Sequence, residues 1–318
     1  MSDLGHVLVL AGGLSYEREV SLRSGRRVAE VLRAAGVSVE TRDTDASLVP
    51  WILAESPSAV FVTLHGGAGE DGAIRSVLDL LSVPYVGAES DACRIAFDKP
   101  TAKTVVRSVG VRTPASVTLP KETFHDLGAS AVLARIVAQL GLPLFVKPSR
   151  GGSALGASIV RTAEELPSAM VGCFAYGDTA LIERYIEGVE VAVSVIDLGE
   201  GPVALPPVEI VPDDGVYDYA ARYTAGRTEF FAPARLSPAA SAACAEMAVT
   251  AHTALGLRDI SRTDLIVDAE GLPHFLEVNV APGMTETSLL PMAAEAAGED
   301  LGSLCRVLLE QAAARATT

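Results

Sequence analysis

Cysteine is scarce in this chain of 318 residues: Cys93, Cys173, Cys244 and Cys305 lie 60 or more positions apart. With no CxxC pair, neither a structural zinc site nor a redox motif is expected, and the thiols are expected to pack reduced. The five histidines, His6, His65, His125, His252 and His274, show no HExxH or HxH spacing, which argues against a histidine-based metal centre. The phosphate loop GxxxxGK[ST] is absent, and the first glycine turn, Ala11-Gly12-Gly13-Leu14-Ser15, fails the GxGxxG pattern of dinucleotide enzymes. No stretch approaches the roughly 20 apolar residues that cross a bilayer. The first residues, Met1 to His6, lack the basic region of a secretory leader, so a cytoplasmic protein with no membrane partner is expected. Cations are outnumbered, 25 Lys and Arg against 40 Asp and Glu, and a net charge of −15 repels a phosphate backbone. No nucleic-acid partner is expected, and an acidic metabolite would need locally placed cations.

What is present is a folding composition: 49% hydrophobic residues, 20% charged, and a mean hydropathy of +0.33. The length allows two or three packed units. The opening predicts a strand at His6–Leu10, a turn, and a helix ending near Ala35 with Gly36 at its C-terminal cap position. Strands at 37–41 and 59–64, a helix over 72–81 and a short strand at 84–87 extend this into a parallel α/β unit. From Asp98-Lys99 a helix runs to about 109. A helix over 130–140 follows, then strands at 144–147, Ser158–Val160 and 180–184, and a third region opens with a strand at Val189–Asp197. The expected division is 1–97, an N-terminal α/β substrate domain, then 98–186 and 187–318, two subdomains of mixed α and β structure.

The most informative segment is a hairpin over 264–268 and 273–280, closed by Ala269-Glu270-Gly271-Leu272. A four-residue loop sets Asp264 opposite Glu277 and Arg262 opposite Asn279, all on one face. Alternation puts Leu265, Val267, Leu276 and Val278 on the other, core-facing side. Two carboxylates and an amide suit magnesium, a hard cation that takes few protein oxygens and keeps waters and phosphates. The plainer alternative is an ion pair with Arg262 on a solvated sheet face. Lys99 and Lys147 are candidate phosphate partners or simply solvated lysines. Glycines in the segment from Lys147 to Gly156 would let backbone amides close over phosphates, or form an ordinary turn.

Taken together, these features resemble the D-alanine–D-alanine ligases of the ATP-grasp superfamily, nearly end to end. The resemblance is carried by Gly12-Gly13-Leu14-Ser15-Tyr16-Glu17, Leu64-His65-Gly66 with Gly69-Glu70-Asp71-Gly72, Asp98-Lys99, and the segment from Lys147 to Gly156. It continues through Glu183-Arg184-Tyr185-Ile186 with Glu190, Tyr217-Asp218-Tyr219 with Tyr223, Arg262 with Asp264, and Glu277-Val278-Asn279 with Pro282-Gly283-Met284-Thr285. It implies an ATP-grasp fold with a nucleotide sandwiched between two subdomains. It also implies ATP-dependent joining of two D-alanines through an acyl phosphate, for peptidoglycan precursors. Asp264, Glu277 and Asn279 would hold two magnesium (or manganese) ions, with potassium as an activator, and a homodimer is the implied assembly. Arg262 and the Gly283 amide would stabilise the oxyanion. Lys99, Lys147 and Arg222 would meet phosphates, Glu183, Arg184, Tyr185 and Ile186 the adenine end, and Glu190 the ribose. Tyr185 and Ile186 could equally be core residues. Glu17, Ser153 and Tyr223 match a linked triad in which Glu17 also grips the first amino acid and Tyr223 belongs to a lid or an ordinary surface loop. His65 matches a histidine near the first amino acid, while Ser288 and Leu289 match positions near the second, with Ser288 also fit to cap a helix.

Ala154 stands where the family usually has Ser, Arg222 where it has Lys, and Val280-Ala281 where it has Thr-Ser. These departures keep open a paralogue with altered amino-acid choice, and a non-catalytic ATP-binding protein on the same fold is the rival from a different class.

Overall fold

The computed structural model describes residues 4–213, 222 and 226–315. Its first sheet is parallel, in the order β2-β1-β3-β4, from strands β1 (His6–Leu10), β2 (Ser38–Arg42), β3 (Ala59–Val62) and β4 (Tyr85–Val86). Val7–Leu10 of β1 and all of β3 are apolar and buried because both sheet faces are covered, as parallel sheets require. Helix α1 (Arg18–Ala34) lies on one face, and α2 (Leu48–Glu55) and α3 (Ala73–Leu80) lie on the other, where they share a core with Leu8, Leu10 and Val60.

Two helices meet end to end at the next junction, α4 (Ser90–Phe97) and α5 (Lys99–Ser108). Asp98 leaves the helical conformation between them, and its carboxylate accepts from the Thr101 amide at 3.1 Å, capping α5. α4 has no counterpart in the sequence-based expectation. A second, antiparallel sheet has the order β5-β8-β6-β7, from β5 (Ser116–Pro120), β6 (Leu144–Pro148), β7 (Ser158–Val160) and β8 (Thr179–Arg184). Helices α6 (Lys121–Leu127), α7 (Ala129–Leu140) and α8 (Leu166–Phe174) contribute to its separate core, which includes Leu133, Ile136, Leu144 and Ile182.

The third sheet runs β12-β11-β9-β13-β14, with β10 added beside β9. Its strands are β9 (Val189–Asp197), β10 (Pro202–Ala204), β11 (Val208–Pro212), β12 (Thr228–Phe231), β13 (Ile260–Val267) and β14 (Pro273–Asn279). Helix α9 (Pro238–Ala254) shares a core with α4, α5 and β13, where Cys93, Val106, Cys244 and Leu265 are fully buried. After α10 (Leu289–Ala296), α11 (Leu301–Arg315) returns to the first sheet and packs against α1 through Leu304, Leu308 and Ala312. Burying a leucine of this kind stabilises the fold by about 1.5–3 kcal/mol. The C-terminal helix therefore ties the first and third sheets into one core. All four cysteines are buried as free thiols. Among the described residues no helix is long and apolar enough to cross a membrane.

The hairpin of β13 and β14 holds a correction. Arg262 pairs with Asn279, Thr263 with Val278 and Asp264 with Glu277, as the expected register requires, but Leu265 pairs with Phe275. A bulge between these pairs leaves Leu276 unopposed, so Leu276 leaves the core face and lines a cavity instead. Phe275 takes the core position, fully buried beside Leu265 and Val278.

Candidate active site

Two cavities meet above this hairpin. One, of about 140 Å³, is a slot walled by Phe145, Ile159, Tyr185, Ile186, Ile266 and Leu276, with Lys147, Glu183 and Glu190 among its polar residues. The other, of about 380 Å³, lies between the loops after β1 and β3, the glycine segment after β6 and the loop after β14. Lys99, Gly151, Gly152, Arg222 and Glu277 line both, so the two spaces adjoin at the hairpin's carboxylate.

The lysines of the slot and the hairpin's carboxylates are paired locally. The Lys147 ammonium lies 2.9 Å from Glu183 Oε2 and 3.8 Å from Glu277 Oε2, while Lys99 lies 3.6 Å from Glu277 and donates to the Gly151 carbonyl at 2.6 Å. Lys103, one turn beyond Lys99 on α5, contacts the other Glu183 oxygen from behind. Arg262 grips Asp264 with two bonds, Nε to Oδ1 at 2.7 Å and Nη2 to Oδ2 at 2.9 Å. The ion pair anticipated as the plainer alternative is thus real, but it is buried within the site rather than on a solvated face.

Burial pushes the Glu277 carboxyl up, yet Lys99, Lys147, Arg222 and Arg262 outweigh it and hold it down at about 2. Burial lowers Lys147 to about 8, with Glu277 opposing and Lys99 adding to the shift. Burial raises Glu190 to about 7 against the pull of Arg222, with Asp264 and Glu277 adding to the rise. Asn279 faces Arg262 across the hairpin, and its side-chain oxygen accepts from the Ala281 amide at 2.8 Å. Among the described residues no group of three or more His, Cys, Asp or Glu stands together. The hairpin's donor set is two carboxylates and an amide oxygen, which fits an ion that fills its shell from phosphates and water. The cations around Glu277 hold it ionised, the form in which a carboxylate can coordinate a metal ion.

In the larger cavity, Glu17 stands at the start of α1 and accepts a hydrogen bond from the Ser153 hydroxyl. A Cβ at Gly66, where φ is +64°, would come within 2.3 Å of Glu17 Oε2, and one at Gly152 within 3.0 Å. Glycine at these two facing positions lets the carboxylate keep this place, which a Cβ on Gly66 would force it to leave. Ser153 and Ala154 both adopt left-handed conformations, with φ of 53° and 54°. Tyr223 lies outside the described residues.

His65 lines the cavity with Glu17, and both of its nitrogens have protein partners. Nδ1 lies 2.9 Å from the Ala281 carbonyl, which can only accept, so Nδ1 carries the proton and Nε2 accepts from the Ser24 hydroxyl at 3.0 Å. Ser24 Oγ also accepts from the Met284 amide at 3.1 Å, which fixes the loop carrying Gly283. Burial lowers the His65 pKa and favours this neutral ring.

Ser288 occupies the capping position before α10 but makes no cap bond. Its hydroxyl instead accepts from the Thr285 amide at 3.0 Å and packs where a Cβ on Gly283 would meet it at 2.6 Å. Leu289 lines the same end. Arg184 reaches the slot from the exposed end of β8.

Glu70 and Lys103 had no assigned role in the sequence reading. Glu70 lines the larger cavity, and burial, reinforced by Glu17, pushes its carboxyl up to about 8. Its position in the Gly69-Glu70-Asp71-Gly72 run was the available signal. For Lys103 the signal was its spacing of four from Lys99 on one helix.

Residues 105–310 match the family model described as D-ala D-ala ligase C-terminus. A D-alanine–D-alanine ligase of Anaeromyxobacter dehalogenans (strain 2CP-C) is 41% identical over 310 residues, covering 98% of this chain and 97% of its own. Among solved structures, the VanG D-Ala:D-Ser ligase of Enterococcus faecalis superimposes with a TM-score of 0.82 at 27% identity, covering 96% of this chain and 98% of the other. The D-alanine–D-alanine ligase of Bacillus anthracis in complex with ATP gives 0.79 at 28%, covering 98% and 97%. A hairpin of paired carboxylates between two adjoining cavities, on a chain matched at this identity over nearly its whole length, places the protein in the D-alanine–D-alanine ligase family.

Proposed function

We propose that the protein joins two D-alanines into D-alanyl-D-alanine at the expense of ATP, as a step toward peptidoglycan. The observation that carries this reading is the meeting of slot and cavity at Glu277, Lys99 and Arg222, which would bring a phosphate chain up to a bound carboxylate. A free carboxylate resists attack by an amine because it is negatively charged and has a poor leaving group. Transfer of the γ-phosphoryl group to the first D-alanine releases ADP and forms an acyl phosphate. The amine of the second D-alanine then attacks the carbonyl carbon, loses a proton, and expels phosphate.

The apolar slot takes the nucleotide, with Glu183, Arg184, Tyr185 and Ile186 at the base, Glu190 at the ribose, and Lys99, Lys147 and Arg222 along the phosphates. Asp264, Glu277 and Asn279 would hold two magnesium or manganese ions, which when bound neutralise the phosphate oxygens. Arg262, fixed by Asp264, and the Gly283 amide face the carbonyl oxygen as it gains charge. Glu17 holds the first ammonium, with His65 positioning the surrounding loop, and Ser288 and Leu289 bound the second amino acid. Glu17, Ser153 and Tyr223 together close the site, which protects the acyl phosphate from water. Potassium activation, a homodimer, a cytoplasmic location and the division at residues 97 and 186 complete the reading. Retention of Arg262, Asp264, Glu277 and Asn279 favours turnover over mere nucleotide binding.

The test is phosphate release from ATP and magnesium with D-alanine, followed by mass analysis of the product. Phosphate and D-alanyl-D-alanine in equal amounts is the expected result. Absence of ligation with every D-amino acid tried would reject the proposal.

A further inference from the structure

Lys103 is 1% exposed, yet it lines neither cavity. It projects from α5 one turn after Lys99, and its Nζ contacts Glu183, whose second oxygen is 2.9 Å from Lys147. Burial, with Lys147 and Arg107 adding, lowers the Lys103 pKa to about 6, so the contact with Glu183 is what favours its charged form. Glu183 is 2% exposed and lines the slot beside Phe145, Tyr185 and Ile186. A carboxylate this deeply buried is stable in its charged form only when paired. Lys147 also faces Glu277, so its charge is divided between two carboxylates. Lys103 contacts Glu183 from the side away from the slot.

We propose that Lys103 is a positioning residue for nucleotide-base selectivity: by holding Glu183 ionised and in one orientation, it makes the slot accept a 6-amino purine and reject a 6-oxo purine. The inference rests on the reading that the slot holds the nucleotide base. An ionised carboxylate only accepts hydrogen bonds, which suits the amino group of adenine and repels the carbonyl oxygen of hypoxanthine or guanine. A carboxyl left with only the contact to Lys147, which is shared with Glu277, takes up a proton more readily and can then donate as well, and the discrimination collapses. Sites built around one hydrogen-bonding group reject analogues that lack its complement far more strongly than apolar pockets reject a change of shape.

The experiment uses the full-length protein, with ATP and ITP compared by calorimetric binding in the absence of D-alanine, and by KM and kcat with D-alanine saturating. Lys103→Met is expected to raise the ATP KM at least tenfold and to reduce the ATP-to-ITP preference at least tenfold, with kcat at saturating ATP within about threefold of wild type. Lys103→Arg is expected to restore the preference. An ATP-to-ITP preference unchanged in Lys103→Met overturns the proposal.

Should the half-paired carboxylate prevent Lys103→Met from folding, Glu183→Gln and the double variant Lys103→Met/Glu183→Gln replace it, since the double variant removes the buried carboxylate together with the lysine. If Lys103 acts through Glu183, the second substitution moves the preference no further than the first. A further drop in the double variant overturns the proposal. Wild-type protein that binds ATP but makes no dipeptide would overturn the ligation reading, whereas the binding ratios would still decide the role of Lys103.

Discussion

Glu277 and Glu70 face the same large cavity, yet one is held down at about 2 and the other is pushed up to about 8. Both pay the same kind of desolvation cost, so the difference lies in their neighbours. Glu277 sits on β14 within reach of Lys99 and Lys147. Glu70 sits on a loop near Glu17, with Arg262 and Lys99 acting on it more weakly than burial and Glu17 do. The contrast extends to the two spaces. Half of the slot's lining comes from strands, where positions such as Phe145 and Glu183, paired across β6 and β8, are placed by the ladder itself. The cavity is built mainly from loops, and the one carrying Gly283 is tied to α1, 260 residues away, by the single bond from the Met284 amide to Ser24 Oγ. A strand-built site has its charges paired in advance, whereas a loop-built one leaves like charges close together and depends on ligand and closure to separate them.

The strongest way to break this contrast is to remove the cation at the seam. Arg262→Ala strips Asp264 of its two-bonded partner and takes a donor from the proposed oxyanion position. The rate of ligation is expected to fall by about 10²–10³, roughly 2.7–4 kcal/mol of transition-state stabilisation, with a smaller change in the ATP KM. Steady-state kinetics with ATP and D-alanine varied separately check it. A near-wild-type kcat would remove Arg262 from the chemistry.

Glu70→Gln sharpens the comparison from the other side. A carboxyl whose pKa rises from about 4.5 unfolded to about 8 folded keeps its proton in the native state while the unfolded chain has lost it. Stability therefore falls as pH rises through that window, the reverse of what Glu277 contributes. In the glutamine variant that slope disappears, leaving it close to wild type near pH 4.5 and more stable at pH 9, by up to about 5 kcal/mol at roughly 1.4 kcal/mol for each unit of the shift. Urea unfolding across pH 5 to 9 measures it. An identical slope in both proteins would mean that Glu70 is ionised in the fold.

The hairpin illustrates how far the sequence alone reaches. Alternation brought Arg262, Asp264, Glu277 and Asn279 to one face correctly, but the turn closes one position differently from a four-residue loop: Val267 pairs with Pro273, and Asp268 accepts from the Glu270 and Leu272 amides. The bulge at Leu276 then restores the expected register at the carboxylates. A bulge leaves no mark in a two-residue hydrophobic period, which is why Leu276 was assigned to the core and why it lines the slot instead. Glycine turns at strand ends were legible because backbone geometry demands them. The buried pairing of Lys103 with Glu183 was not, because a lysine on an amphipathic helix has the same local pattern whether it meets water or a carboxylate 80 residues further along the chain. α4 was equally hidden. Its sequence, Ser90 to Phe97, is short and mixed, and it is held in place by the core it shares with α9 and β13.

Ser153 offers the finest test of a loop-built cavity, because its backbone and its hydroxyl can be separated. With φ at 53° it occupies a region that disfavours any side chain, and its hydroxyl donates to Glu17. Ser153→Ala keeps the backbone demand and loses the hydroxyl, whereas Ser153→Gly loses the hydroxyl and relieves the backbone. If the hydrogen bond to Glu17 is what closes the cavity, both variants should show the same rise, about two- to tenfold, in ATP hydrolysed per dipeptide formed. They should differ in stability, with glycine the more stable by about 1 kcal/mol because the left-handed conformation no longer costs a side chain. Phosphate release compared with dipeptide yield, alongside thermal melts, gives both quantities. A loss of coupling confined to the glycine variant would mean that the fixed left-handed backbone, rather than the bond to Glu17, keeps water from the acyl phosphate.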